Sequence, residues 1–263
     1  MCGIAGFSLT ARSSVPRTAA ARILLAGIAE RGADAAGFAY RNGSAEAHVH
    51  KQRSGASALL AQVALPETTR HLLVHVRDYT KGHPTIEANN HPIRHGAVVG
   101  VHNGIILNDE ELFEQHGWTR AHPDMTVDSE AIFALVEETD EVLALEQLHG
   151  SMATAWIDER NDDGLVVARG TGRPLWLGHG RNETFFASTK HTLELIERYL
   201  DLRLSKREVP EGSRVTLGTD GDVDWAQFHP AEYVEESPLP AVRAPEERES
   251  CLRLLPSLVA AAL

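Results

Sequence analysis

Cysteine is scarce in this 263-residue chain, with Cys2 and Cys251 near opposite ends. Two such residues form neither a disulfide framework nor a zinc-type cluster, and a reducing, cytoplasmic setting is expected. No run approaches the ~20 apolar residues that cross a bilayer. The apolar stretch 2–9 is too short for a signal peptide, and no basic region precedes it. Basic residues are outnumbered, 25 Lys and Arg against 37 Asp and Glu, for a formal net charge of −12. Nucleic acid and anionic membrane surfaces both require a basic footprint, so neither is expected as a partner. Internal repeats and low-complexity tracts are missing too. The remainder is ordinary for a soluble globular protein, 43% apolar and 24% charged.

Residues 2–9 form a nearly continuous apolar run of the kind a doubly covered strand shows. Ser13, Ser14 and Pro16 mark a helix start, and Ile23, Leu24 and Ile28 carry helical spacing to Glu30. A glycine-punctuated loop, 31–37, leads to strands at 37–41 and 45–52, with Asn42-Gly43 as the hairpin signal between them. A short helix over 57–65 and a buried strand over 71–77 follow, then a polar loop to His95. Residues 96–101 read as a strand delivering His102, Asn103 and Gly104 at its end. Asn108 caps a helix to Gln115. The clearest helix starts at Val127 or Asp128, with Ile132, Leu135 and Val136 on its apolar face and Glu130, Glu137 and Glu138 off it. A second short helix covers 141–148.

From Ser151 the pattern turns to strands, at 152–157, 165–168, 175–177 and 184–187, with turn chemistry at 161–164. A helix over 190–200 precedes strands near 203–208, 213–218 and 222–228. Many short strands with clustered helices predict an α+β fold of stacked sheets under helical cover, forming one main domain over 2–230. Residues 231–263 are a proline-punctuated tail. Three states are open to it: an extra docking helix, a partner-binding peptide or a disordered end, the last being usual for termini.

Cys2 directly follows the initiator Met, and its side chain is small enough to permit removal of that residue. It would then hold a thiol and a free α-amine, which ordinarily titrate at about 8.5 and about 7.7–8.0, so one residue offers nucleophile and base. It could equally be the start of a buried strand. Three polar clusters stand at predicted strand ends, where ligands commonly bind: Arg31, Gly32 and Asp34; His75, Arg77, Thr80 and Gly82 with Asn90, His91 and Pro92; and His102, Asn103, Gly104 and Ile105. Arg77 offers a planar fork suited to a carboxylate, or to a surface salt bridge. Asn103-Gly104 can set a side-chain amide beside a backbone N–H, as an oxyanion hole requires, or can be a plain turn. Asp128 is either an N-cap or a carboxylate free to hold an ammonium. Among 14 histidines, His48 with His50 and His91 with His95 are paired without a third ligand at telling spacing, so no metal is expected. His75 and His102 follow apolar strand residues and read as structural hydrogen-bonders.

Taken in order, Cys2-Gly3-Ile4-Ala5-Gly6, Arg31-Gly32-x-Asp34-x-x-Gly37, His75-x-Arg77-x-x-Thr80-x-Gly82, Asn90-His91-Pro92, His102-Asn103-Gly104-Ile105 and Asp128-Ser129-Glu130 resemble the class II glutamine amidotransferase (N-terminal-nucleophile glutaminase) domain. Gly150-Ser151-Met152-Ala153, Arg173-Pro174-Leu175, Phe186-Ala187-Ser188 and Glu211-Gly212 agree more weakly. The resemblance covers about residues 2–230. It implies a four-layer αββα sandwich, with Cys2 as nucleophile, its α-amine as base, and Asn103 and Gly104 as oxyanion hole. It further implies that Arg77 binds the α-carboxylate of glutamine and Asp128 its α-ammonium. Thr80, Gly82 and His91 would line the substrate, and Arg31, Gly32, Asp34 and His102 would shape the site. No cofactor is implied.

Ala33 departs from the family's frequent Pro, and Asp78, Tyr79 and Lys81 are unusual in a loop that closes over glutamine in this family. Members commonly carry a fused synthetase domain, and residues 231–263 are too few for one. The resemblance therefore implies a stand-alone glutaminase that passes ammonia to a separate synthetase or acceptor-binding protein. An amidohydrolase of the same fold acting on another γ-glutamyl or amide compound, and a non-catalytic regulatory or partner-binding module, are the alternatives.

Overall fold

Alternation along two strands sets the architecture. In β1 (Gly3–Leu9), Ala5, Phe7 and Leu9 pack into one apolar cluster while Ile4 packs into another. In β6 (Val98–Ile106), Val99 and Val101 join the cluster of Ile4, while Val98 and Ile106 join a third. Successive side chains of a strand point to opposite faces. The cluster shared by Ile4, Val99 and Val101 is therefore the seam between two sheets, and each outer cluster lies under helices.

The computed structural model describes residues 2–43, 46–161, 164–235 and 240–263. Both sheets are antiparallel. Besides β1 and β6, the strands are β2 (Ala35–Arg41), β3 (His48–Gln52), β4 (His71–Arg77), β5 (Ile93–His95), β7 (Gly150–Asp158), β8 (Leu165–Arg169), β9 (Trp176–His179), β10 (Glu183–Ala187), β11 (Ser205–Glu208), β12 (Ser213–Leu217) and β13 (Val223–Gln227). The first sheet runs β11-β9-β10-β1-β4-β2-β3 and the second β13-β12-β8-β7-β6-β5. Helices α1 (Arg17–Ile28), α2 (Ala56–Leu60), α5 (Lys190–Leu200) and α6 (Pro245–Ala260) cover the first sheet. Helices α3 (Asp109–His116) and α4 (Glu130–Glu138) cover the second. The result is the expected four-layer αββα sandwich.

Most expected elements are present with shifted ends. Residues 141–148 contain a 3₁₀ turn, Val142–Gln147, in place of an α-helix. The polar loop before His95 hides β5, a three-residue edge strand too short to show alternation. Asn108 stands at the N-cap of α3, yet its side chain serves another segment, donating to the Gln147 carbonyl (2.9 Å) and accepting the His149 N–H (3.0 Å). Glu130, expected on the outer face of α4, is fully buried and accepts from His95 Nδ1 (2.9 Å), the Arg120 guanidinium (3.2 Å) and the Ala121 N–H (2.6 Å).

Within the tail, residues 245–260 form a docked helix. Cys251, Leu255 and Val259 of α6 are buried in the same cluster as α1. The Arg22 guanidinium donates to the Leu258 carbonyl (2.8 Å), and the Glu247 carboxylate accepts from the Ser57 N–H and hydroxyl (2.8 and 3.0 Å). Met1, Ser44 and Ala45 of the hairpin region, Asp162 and Asp163 of the 161–164 turn, and residues 236–239 lie outside the described residues. No described helix is long and apolar enough to cross a membrane.

Candidate active site

The apolar seam ends where the same strand faces turn polar. Leu73 of β4 lies in the seam; His75 and Arg77, two and four residues on, share its face. Val101 of β6 gives way to Asn103, and Ala153 of β7 to Ser151. Cys2, half-buried, stands just ahead of β1, which pairs with β4 in a register that sets Gly3 opposite Val76. The four strands thus bring Cys2, Arg77, Asn103 and Ser151 to one end of the sandwich.

Cys2 is held at both its main chain and its thiol. Arg31, buried below α1, donates from Nε to the Cys2 carbonyl (2.8 Å), and the thiol donates to the Asp78 carbonyl (3.5 Å). Gly32 is required here because a Cβ would sit 2.4 Å from the Arg77 carbonyl group. The loop after Arg31 therefore lies flat on the Arg77-Asp78 peptide. Asp34 completes this junction: its N–H donates to the Arg77 carbonyl and its carboxylate accepts the Tyr79 N–H, both at 2.9 Å. Burial pushes the Cys2 thiol up, while the Asp78 contact and the nearby Arg77 cation pull it down.

Arg77 is 2% exposed, and every hydrogen bond it makes goes to a neutral acceptor: Asn90 Oδ1 (2.6 Å), the Lys81 carbonyl (2.9 Å) and the Gly82 carbonyl. No described carboxylate stands within ion-pair distance of it, although Asp128 and Cys2 act on it electrostatically. Asp128 is the reverse case. It is 3% exposed, accepts the Ile106 N–H at 2.7 Å, and is pushed up to about 6 by burial. Its side chain ties α4 to β6 and does not cap α4. A buried cation without a carboxylate and a buried carboxylate without a cation are costly, and each gains from an opposite charge.

Asn103 is fully buried, and neither end of its amide has a partner among the described residues; the Ser151 hydroxyl is in the same position. Gly104 has φ +152°, and a Cβ there would lie 1.9 Å from the Ser151 carbonyl oxygen, so only glycine fits. His102 points to the other side of β6. Its Nε2 donates to the Ser151 carbonyl (3.3 Å), which leaves Nδ1 to accept from the Ser129 hydroxyl (2.8 Å). His75 Nε2 donates to the His102 carbonyl (3.1 Å), and its ring stacks on that of His91 at 4.2 Å. Burial lowers His75 and His102 to about 3 and His91 well below its usual value. All three are neutral near pH 7 and are poor proton acceptors. His75 and His102 are hydrogen-bonded, whereas neither ring nitrogen of the buried His91, expected to line the substrate, has a partner among the described residues.

Of the remaining expected residues, Gly82 receives Arg77, whereas Thr80 is exposed on the loop. Sequence reasoning did not single out Asn90, Ser129 or Ser151 for roles, although each lies inside a quoted motif. It missed Asp109 entirely. That carboxylate accepts Lys81 Nζ (2.7 Å) and Arg120 (2.9 Å), turning the Lys81 side chain toward α3 and pinning the loop after Arg77. No group of three or more potential metal ligands exists among the described residues.

Comparison with known proteins points to one family. Residues 80–194 match the glutamine amidotransferase domain family. Glutamine–fructose-6-phosphate aminotransferase (isomerizing) of Escherichia coli K12 is 36% identical over 217 residues, covering 75% of this chain and 33% of that protein. The enzyme of the same name from Shewanella oneidensis is 34% identical over 236 residues, covering 82% and 36%. The chain thus spans about a third of the length of the curated relatives it matches. Among solved structures, glutamine phosphoribosylpyrophosphate amidotransferase from B. subtilis superposes with a TM-score of 0.65 at 18% identity, over 86% of this chain and 49% of that one. An allosteric regulatory enzyme of purine biosynthesis gives 0.66 at 20% identity, with the same coverage. These two share the fold. The family match, the relatives at 34 and 36% identity and the motif order identify the chain as a class II glutamine amidotransferase domain.

Proposed function

We propose that this domain hydrolyses the side-chain amide of glutamine to glutamate and ammonia through a thioester on Cys2. The supporting observation is a complementary set of buried groups at the end of the sandwich where that cysteine stands. Arg77 is a buried cation with only neutral acceptors, Asp128 a buried carboxylate, and Asn103 a buried amide with no partner among the described residues. A free amino acid with an amide side chain carries the carboxylate, the ammonium and the developing oxyanion that would satisfy all three. Once Met1 is removed, the Cys2 α-amine takes the thiol proton and sulfur attacks the amide carbon. The Asn103 side chain and the Gly104 N–H stabilise the oxyanion; ammonia leaves and water releases glutamate. Burial lowers His75 and His102 to about 3, which makes them poor bases and supports the amine in that role.

The ammonia is passed to a separate synthetase or acceptor-binding partner. Purified protein tests the first claim: intact mass shows loss of Met1, glutamate appears from glutamine, and Cys2→Ala abolishes it. If other γ-glutamyl amides are cleaved and glutamine is inert, the substrate assignment fails. Pull-down followed by glutaminase assay with the captured protein tests delivery; an activity unchanged by every partner contradicts it.

A further inference from the structure

The C-terminal arm reaches the two places where Cys2 is held. The Arg243 and Ala244 N–H groups both donate to the Glu30 carbonyl at 2.8 Å, and Arg248 pairs with the Glu30 carboxylate at 2.7 Å. Glu30 directly precedes Arg31, whose Nε holds the Cys2 carbonyl. The Arg243 side chain then extends to Asp78, with Nε 3.1 Å from Oδ2. Asp78 is the residue whose carbonyl accepts the Cys2 thiol. Behind this contact the arm is firmly anchored by the buried face of α6 and by Glu247 on Ser57.

We propose that Arg243 is a positioning residue for the nucleophile: it fixes the Asp78 main chain, and through it the Cys2 thiol. The loop after Arg77 is already tied to Asp34 at Tyr79 and to Asp109 at Lys81. Arg243 supplies a tie at Asp78 itself, from a segment outside the matched residues 80–194. Its side chain is 39% exposed, so the ion pair contributes little to global stability. Its effect is on placement, where displacements near 1 Å lower rates sharply. This inference rests on the proposed cysteine chemistry.

The test compares the full chain with Arg243→Glu, Arg243→Lys and, as a charge control on the exposed side of α6, Arg253→Glu. Two quantities are read: glutaminase kcat and KM, and the pH profile of Cys2 alkylation by iodoacetamide, located by peptide mass. The charged groups facing the thiol are the N-terminal amine, Arg31, Arg77 and Asp78, with Arg243 behind Asp78; the amine is common to every variant compared. Arg243→Glu is expected to lower kcat about tenfold with KM nearly unchanged, and to move the alkylation profile to higher pH, because a positive charge beside the Asp78 carboxylate is replaced by a negative one. Arg243→Lys retains most of both, and Arg253→Glu matches the parent. Coincident profiles and equal kcat for Arg243→Glu and parent overturn the proposal, as does an equal loss in Arg253→Glu. A parent inert toward glutamine defeats the functional reading alone, since alkylation still reports on placement. If Arg243→Glu does not fold, Arg243→Gln and Asp78→Asn form a double-mutant cycle on the alkylation profile. Non-additive effects support the coupling and additive effects overturn it.

Discussion

The two halves of the space between the sheets differ although the same strands build both. Where Ile4, Leu73, Val101 and Ala153 meet, every side chain is apolar and closely packed. One or two positions along, the same faces carry Cys2, His75, Arg77, Asn103 and Ser151, with the Asn103 amide and Ser151 hydroxyl unmet within the described protein. The first half contributes stability. The second half costs it, because a buried polar group without a partner forfeits about 1–3 kcal/mol. A rigid apolar half allows such groups to be held in place until a ligand satisfies them, which is the usual trade between stability and activity.

Substitutions in each half should therefore separate. Cys2→Ala has the largest expected effect: no glutamate release above background, with thermal stability close to the parent's by calorimetry. Asn103→Leu should lower kcat by roughly 10²–10³, while denaturant titration finds the protein unchanged or about 1 kcal/mol more stable, since an unmet amide is gone. Leu73→Ala inverts the pattern, costing about 3 kcal/mol of stability with kcat per folded molecule little altered. A stable Leu73→Ala or an unfolded Asn103→Leu would erase the contrast.

Asp128 gives a smaller, pH-dependent effect. Its carboxyl is pushed up to about 6, so ionisation is opposed by the fold. Its stabilising contribution is present below the unfolded carboxyl value and is lost as pH rises through about 6. Ammonium binding runs the other way and needs the ionised form. KM for glutamine should therefore rise about tenfold per pH unit below that value, and Asp128→Asn should remove this dependence while improving stability at pH 8. A pH-independent KM in the parent between pH 5 and 7 would contradict the assignment.

Much of this was legible because the site groups sit beside strand ends and glycines that local chemistry marks. The motif order from Cys2 to Glu130 carried the fold, and apolar runs located most strands. The residues that escaped do so for physical reasons. Glu130 reads as an outer-face carboxylate, and only tertiary contacts with His95, Arg120 and Ala121 show that it is buried. Asp128 and Asn108 sit at helix starts, but their side chains bond to residues far along the chain. β5 is too short for periodicity to register. The helix over 245–260 contains Pro256 and a charged run, Glu246 to Glu249, at its start; its apolar face gains meaning only against α1 and α2.

The central claim is that Cys2 carries the chemistry, and trapping its acyl intermediate tests it most directly. Protein mixed with glutamine and quenched in acid within the first turnovers should show the mass of one glutamyl group added to the peptide beginning at Cys2. The adduct should be labile to hydroxylamine and missing from Cys2→Ala. Glutamate release that persists in Cys2→Ala, with no adduct on the parent, would contradict the account.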